Sequence, residues 1–94
     1  MIVRISNEAQ YRVDDAKHAR LNELDDAVVR AVEQGDANAF GATFGELLRY
    51  VREEGTAVGD DELETSDFIL PPADLSFQEA REEFSGEGLI PEPA

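Results

Sequence analysis

Five acidic side chains crowd one short stretch, DDELETSD at residues 60–67: Asp60, Asp61, Glu62, Glu64 and Asp67. Hard cations gather about six to eight oxygen ligands, so such a stretch invites a calcium reading. The spacing does not match the D-x-[DN]-x-[DN]-G-x5-E loop, and a solvated acidic loop is the simpler reading. Asp25 and Asp26 form a carboxylate pair, which in principle could do acid/base work. Adjacent helical positions point about 100° apart, so the two do not converge, and both are expected to face water. His18, the single histidine, follows Asp14 by four residues and Asp15 by three, a spacing for a local helical ion pair. A catalytic base needs an activated partner, and none is in view. Ser6, Ser66, Ser76 and Ser85 read as caps or loop residues. There is no G-x-S-x-G, no P-loop and no G-x-G-x-x-G, and the absence of cysteine removes thiolate chemistry and disulfides. No catalytic, cofactor or metal site is expected.

The elements that must position these residues can be read from periodicity. MIVRIS alternates and is β-branched, with Val3 and Ile5 on one face and Ile2 and Arg4 on the other. QYRV repeats the pattern, with Tyr11 and Val13 opposite Arg12, and the short NEA linker suits a hairpin. A lone hairpin is marginal in water and needs a covering layer. Leu21, Leu24, Val28, Ala31 and Val32 form one face of a first helix, opened by Asp14 and Asp15 and closed by Gly35. Asp36 caps a second helix, whose apolar face is Phe40, Phe44, Leu47, Leu48 and Val51, and Gly55 ends it. The QGD connection folds the two into an antiparallel αα-hairpin. Gly41 and Gly45 each cost about 1 kcal/mol in a helix, which predicts close approach of a neighbouring element there.

FILPP must be extended, because proline and the residue before it resist helix. Phe68 and Leu70 should share a packed side, with the segment forming an edge strand. SFQE has the form of a capping box for a short third helix carrying Phe77, Ala80 and Phe84. LIPEP repeats the apolar-then-proline pattern of ILPP. The expected fold is α+β: an N-terminal β-hairpin, an antiparallel αα-hairpin, an extended proline-stopped segment and a short third helix, in one domain spanning residues 1–94.

Charge bounds the partners. The chain has 22 acids against 8 bases, a net charge of -14, and seven of the bases are arginine. A phosphate backbone is repelled by such a surface, so no nucleic-acid partner is expected, and an anionic membrane is disfavoured in the same way. Arg4, Arg12, Arg49 and Arg52 are expected to hold carboxylates of the same chain, with partner binding as the lesser role. Self-repulsion of this size is relieved by salt, which suits a high-salt cytosol; a GC-rich genome equally explains arginine over lysine. No apolar run approaches the ~18 residues of a membrane span, and MIVRIS lacks a signal-peptide pattern. A soluble cytoplasmic protein is expected.

The order of several motifs carries a resemblance. MIVRI followed by QYRVDD, then LNELDDAVVRAVEQGD, then REEGTAVGDDELETSDFILPPAD, and finally EGLIPE resemble the PspAA family, small proteins associated with phage-shock protein A. Ala9 stands where that family would be expected to place a turn glycine. The resemblance implies a non-enzymatic accessory factor of the envelope-stress response. The partner it implies is phage-shock protein A, a coiled-coil scaffold on the cytoplasmic membrane face, through which the chain would be recruited to the membrane. The partner surface is expected around Asp67, Leu70, Pro71, Pro72 and Asp74, supported by Leu89, Ile90 and Pro91. The competing reading of these residues is an intramolecular latch, since proline-stopped apolar segments close cores. Two other functions remain: a self-associating acidic structural protein, dimerising through the Gly41/Gly45 face, and an acidic mimic of nucleic acid.

Overall fold

The computed structural model describes residues 1–59, 62 and 64–84. Strands β1 (Ile2–Ile5), β2 (Ala9–Arg12), β3 (Thr56–Ala57) and β4 (Phe68–Leu70) form a sheet of order β3-β2-β1-β4. Helices α1 (His18–Glu33), α2 (Ala37–Glu54) and α3 (Phe77–Glu83) complete the α+β fold. The hairpin, the helical hairpin, the extended segment and the third helix all occur as the sequence predicts. β1 and β2 pair antiparallel, with Val3 opposite Tyr11 and Ile5 opposite Ala9. β4 pairs with β1 in parallel and forms one edge of the sheet, with Arg4 opposite Ile69 and Ile5 opposite Leu70.

Alternation along each strand divides the sheet into two faces. Val3, Ile5, Val13 and Leu70 turn inward and are buried with Leu21, Val28, Leu47 and Val51 of the helices. Phe40 and Phe44 stack 5.3 Å apart, and the Phe84 ring meets Phe44 edge-on at 5.7 Å, so α3 closes the core over α2. The caps follow the local rules. Gly35 takes φ 71, Asp36 accepts from the Ala39 N–H, and Ser76 with Glu79 completes a capping box.

Two expectations are corrected. Gly41 and Gly45 face open space: a Cβ on either would meet nothing within 4 Å. Among the described residues no element approaches them, so close packing within these residues does not explain them. Asp25 is fully buried rather than solvated, because it lies four residues after Leu21 and three before Val28, inside the apolar stripe of α1. Among the described residues no buried side-chain nitrogen or oxygen lacks a hydrogen-bond partner. Gly55 ends α2 as expected, in an extended conformation. Its reason is space, since a Cβ there would sit 2.6 Å from the Val51 carbonyl and 3.0 Å from the Tyr11 Cβ.

Candidate functional site: the acidic strap and the hairpin-turn groove

The acidic stretch is a strap across the outer face of the sheet. Gln10, on that face, is buried, and its amide donates to the Glu64 carbonyl and accepts from the Glu64 N–H. It also donates to Ser66 Oγ at 2.8 Å. Arg12 pairs with the Glu64 carboxylate. Asp67 accepts from the Ile2 N–H at 2.7 Å, and its own N–H donates to the Ile2 carbonyl at 2.8 Å. Ile2 is thereby buried although it lies on the outer face. The acids of the strap thus do structural work: Glu64 and Asp67 hold the chain to the sheet. Asp60 and Asp61 lie outside the described residues, and no group of three metal-type ligands occurs among the described ones.

Beyond the strap, β4 delivers the chain to a turn at Pro72–Asp74, held by a bond from the Leu75 N–H to the Pro72 carbonyl of 3.0 Å. This turn faces the β1–β2 turn across a groove of about 260 Å³, lined by Ser6, Asn7, Glu8, Pro72, Ala73 and Asp74. The Ser6 N–H donates to the Leu70 carbonyl at 2.9 Å and ties the two walls together. Asn7 supplies the left-handed residue of the hairpin turn, φ 63, a conformation that asparagine tolerates. Ala9 already lies in β2, so the turn has no need of a glycine there. Glu8 is clamped from behind. Arg52 of α2 donates to both carboxylate oxygens, at 2.9 and 2.5 Å, and the Tyr11 hydroxyl donates to Oε2 at 2.7 Å. These bonds, Arg52 foremost, lower the Glu8 pKa from 4.5 to about 2. The same contact raises the pKa of Tyr11, because ionising the phenol would remove its bond to Glu8.

The sequence-derived surface residues divide sharply. Leu70 is fully buried in the core and Pro71 is buried beside it, so neither side chain is offered to a partner. For these two the latch reading describes the geometry. Asp67 is exposed but engaged with Ile2. Pro72 and Asp74 line the groove, and Asp74 makes no hydrogen bond or ion pair among the described residues. Leu89, Ile90 and Pro91 lie outside the described residues. The groove wall formed by Ser6, Asn7 and Glu8 escaped the sequence reading, which treated this turn only as a connection. Of the arginines singled out, Arg12 and Arg52 hold carboxylates, whereas Arg4 and Arg49 have no carboxylate partner among the described residues. His18 is half-buried, its ring 5.4 Å from that of Phe68.

A second, smaller groove of about 110 Å³ lies between α1 and α2. Its charged lining, Arg20, Arg49, Glu46 and Glu53, is balanced and favours neither sign. Among the described residues no helix is long and apolar enough to cross a membrane. The family model for PspA-associated protein, PspAA, matches residues 1–92. No curated protein and no solved structure matches the chain.

Proposed function

The chain belongs to the PspA-associated protein family, and on that premise we propose that it is a non-enzymatic adaptor that binds and modulates a phage-shock protein A type scaffold. The match over residues 1–92 carries this reading. The physical chemistry supports it. A module of net charge -14 is drawn to a basic stripe on a long helix and repelled by phosphates, so it reaches an anionic membrane through its partner. Such recruitment would bring it to the cytoplasmic face of the membrane under envelope stress. The contact surface includes Pro72 and Asp74, the two residues of the expected set that line a groove and are not buried in the core.

Size-exclusion chromatography with the phage-shock protein A homologue of the same organism tests the proposal. A complex that co-elutes at low salt and weakens at raised salt is the expected result. A well-folded chain that elutes alone at every salt concentration overturns it. One observation keeps self-association in view: among the described residues nothing lies within 4 Å of where a Cβ would sit at Gly41 or Gly45, on the exposed face of α2. Light scattering decides that second reading, since a strict monomer removes it.

A further inference from the structure

We propose that the groove between the β1–β2 turn and the Pro72–Asp74 turn receives a lysine or arginine side chain of a basic partner polypeptide, with Asp74 as the carboxylate that meets it. This deepens the adaptor reading and rests on it for the partner's identity, but the groove's preference for a cation stands by itself. Its walls are fixed before anything binds. The Ser6 N–H donates to the Leu70 carbonyl, the Glu8 N–H to the Ile5 carbonyl at 3.0 Å, and the Leu75 N–H to the Pro72 carbonyl. Binding to such a groove orders little new backbone, which favours affinity.

The charges within it are unequal in availability. Both oxygens of Glu8 are taken by Arg52, so Glu8 shapes the wall more than it attracts. Asp74, across the groove, has no cation among the described residues. Ser6 and Asn7 bring a hydroxyl and an amide carbonyl, acceptors suited to the several N–H donors of a guanidinium or ammonium group. Pro72 offers an apolar wall for the side-chain methylenes. A hard metal ion is a poorer occupant, because two carboxylates, one already committed, fall short of the oxygen shell it needs. A second copy of the chain is disfavoured by charge, since each copy carries -14.

The test has two arms. In the first, the isotope-labelled protein is titrated with N-acetyl-arginine methylamide, followed by amide chemical shifts in wild type and in Asp74→Asn. Saturable shifts at Ser6, Asn7 and Asp74 that vanish in D74N are expected. Shifts spread over the acidic surface and unchanged in D74N overturn the groove. In the second arm, affinity for the scaffold homologue is measured for wild type, Asp74→Lys and Ile69→Ser, with melting curves as the folding control. Asp74 is exposed, so D74K should fold; it is expected to weaken binding about fivefold to tenfold, while I69S binds normally. Undiminished binding by D74K, or loss confined to I69S, overturns the groove and leaves the adaptor reading intact. Absence of any complex with wild type overturns the adaptor reading, and the first arm then decides the groove alone.

Discussion

The side chain of Gln10 pairs with the main chain of Glu64 as a neighbouring strand would, donating to its carbonyl and accepting from its N–H at 3.2 Å. One amide thus does the work of a strand residue for a segment that lacks a regular ladder. Replacing it with leucine keeps the bulk but leaves both Glu64 groups without their partner. Unpaired polar groups in a partly buried setting cost about 1–3 kcal/mol each, and water will recover part of that here. Gln10→Leu should therefore destabilise the chain by about 1–2 kcal/mol and accelerate amide exchange at Glu64 and Asp67. Denaturant melts and hydrogen exchange measure both. Unchanged exchange at Glu64 would mean that the strap is held by other contacts.

Glu8 and Arg52 link the hairpin turn to α2. The Glu8 pKa falls from 4.5 to about 2 on folding, chiefly through the Arg52 hydrogen bonds and then through Tyr11. A carboxylate with a depressed folded pKa contributes its full stability above the unfolded value and loses it as pH falls toward the folded one. The window is therefore about pH 4.5 down to about 2. Both side chains are partly exposed, 30% for Glu8 and 39% for Arg52, so solvent screening limits the contribution to about 1 kcal/mol. Glu8→Gln should be less stable than wild type by about that amount at neutral pH, with the difference shrinking across this window. A difference that stays constant from pH 6 to pH 2 would show that charge plays no part.

The glycines within α2 and the one that ends it predict opposite responses. Gly41 and Gly45 lie in a helix with open space beside them, so alanine gains about 0.5–1 kcal/mol of helix propensity at each without steric cost. At Gly55 a Cβ meets the Val51 carbonyl at 2.6 Å and the Val13 Cγ2 at 3.1 Å, and a backbone oxygen cannot step aside cheaply. Gly55→Ala should cost about 1–3 kcal/mol, as overpacking does. Thermal melts of the three variants should show Gly41→Ala and Gly45→Ala above wild type and Gly55→Ala below it. A lower melting point for Gly45→Ala, with weaker self-association in light scattering, would instead reveal a contact between copies on that face.

These contrasts mark what could be read from the chain alone. The helices were legible because their signals are local: Leu21 and Val28 fall on one stripe, Gly35 and Asp36 punctuate, and Ser76 with Glu79 makes a cap within four residues. FILPP was legible as an edge strand through its prolines, although its parallel pairing with β1 depends on where the helical hairpin returns the chain. Thr56–Ala57 is too short for any periodicity, and it pairs only because Gly55 brings it against Tyr11 and Arg12. The groove joins two turns far apart in sequence, and half of its lining is a hairpin turn that carries no signal of its own. Leu70 and Pro71 were ambiguous in sequence, since a latch and a docking motif share the same apolar-proline pattern; burial separates them.

Net charge predicts a salt response. With 22 acids and 8 bases the folded chain repels itself, and salt screens that repulsion over about 10 Å at 0.1 M. The ion pairs, Arg12–Glu64, Lys17–Glu54, Arg20–Glu23 and Arg52–Glu8 among them, are partly exposed and each contributes little, so their screening removes less stability than relief of the net repulsion adds. The melting temperature should therefore rise from low to molar KCl. A flat profile would remove the high-salt setting and leave codon composition as the source of the arginine bias.

Asp25 tests how far an acid inside an apolar stripe is structural. It has no exposed surface, and its stripe neighbours on α1 are Leu21, Leu24, Val28 and Val29. A carboxylate is tolerated there only where its oxygens are hydrogen-bonded, and among the described residues no buried side-chain polar atom lacks a partner. Asparagine preserves the shape and one acceptor, whereas alanine leaves a cavity and orphans the groups that face it. Asp25→Ala should cost about 3–5 kcal/mol and Asp25→Asn clearly less, read from denaturant melts of the same preparation. If both variants lie within about 0.5 kcal/mol of wild type, the carboxylate contributes no net stability. Its burial in α1 would then call for a role other than holding the fold.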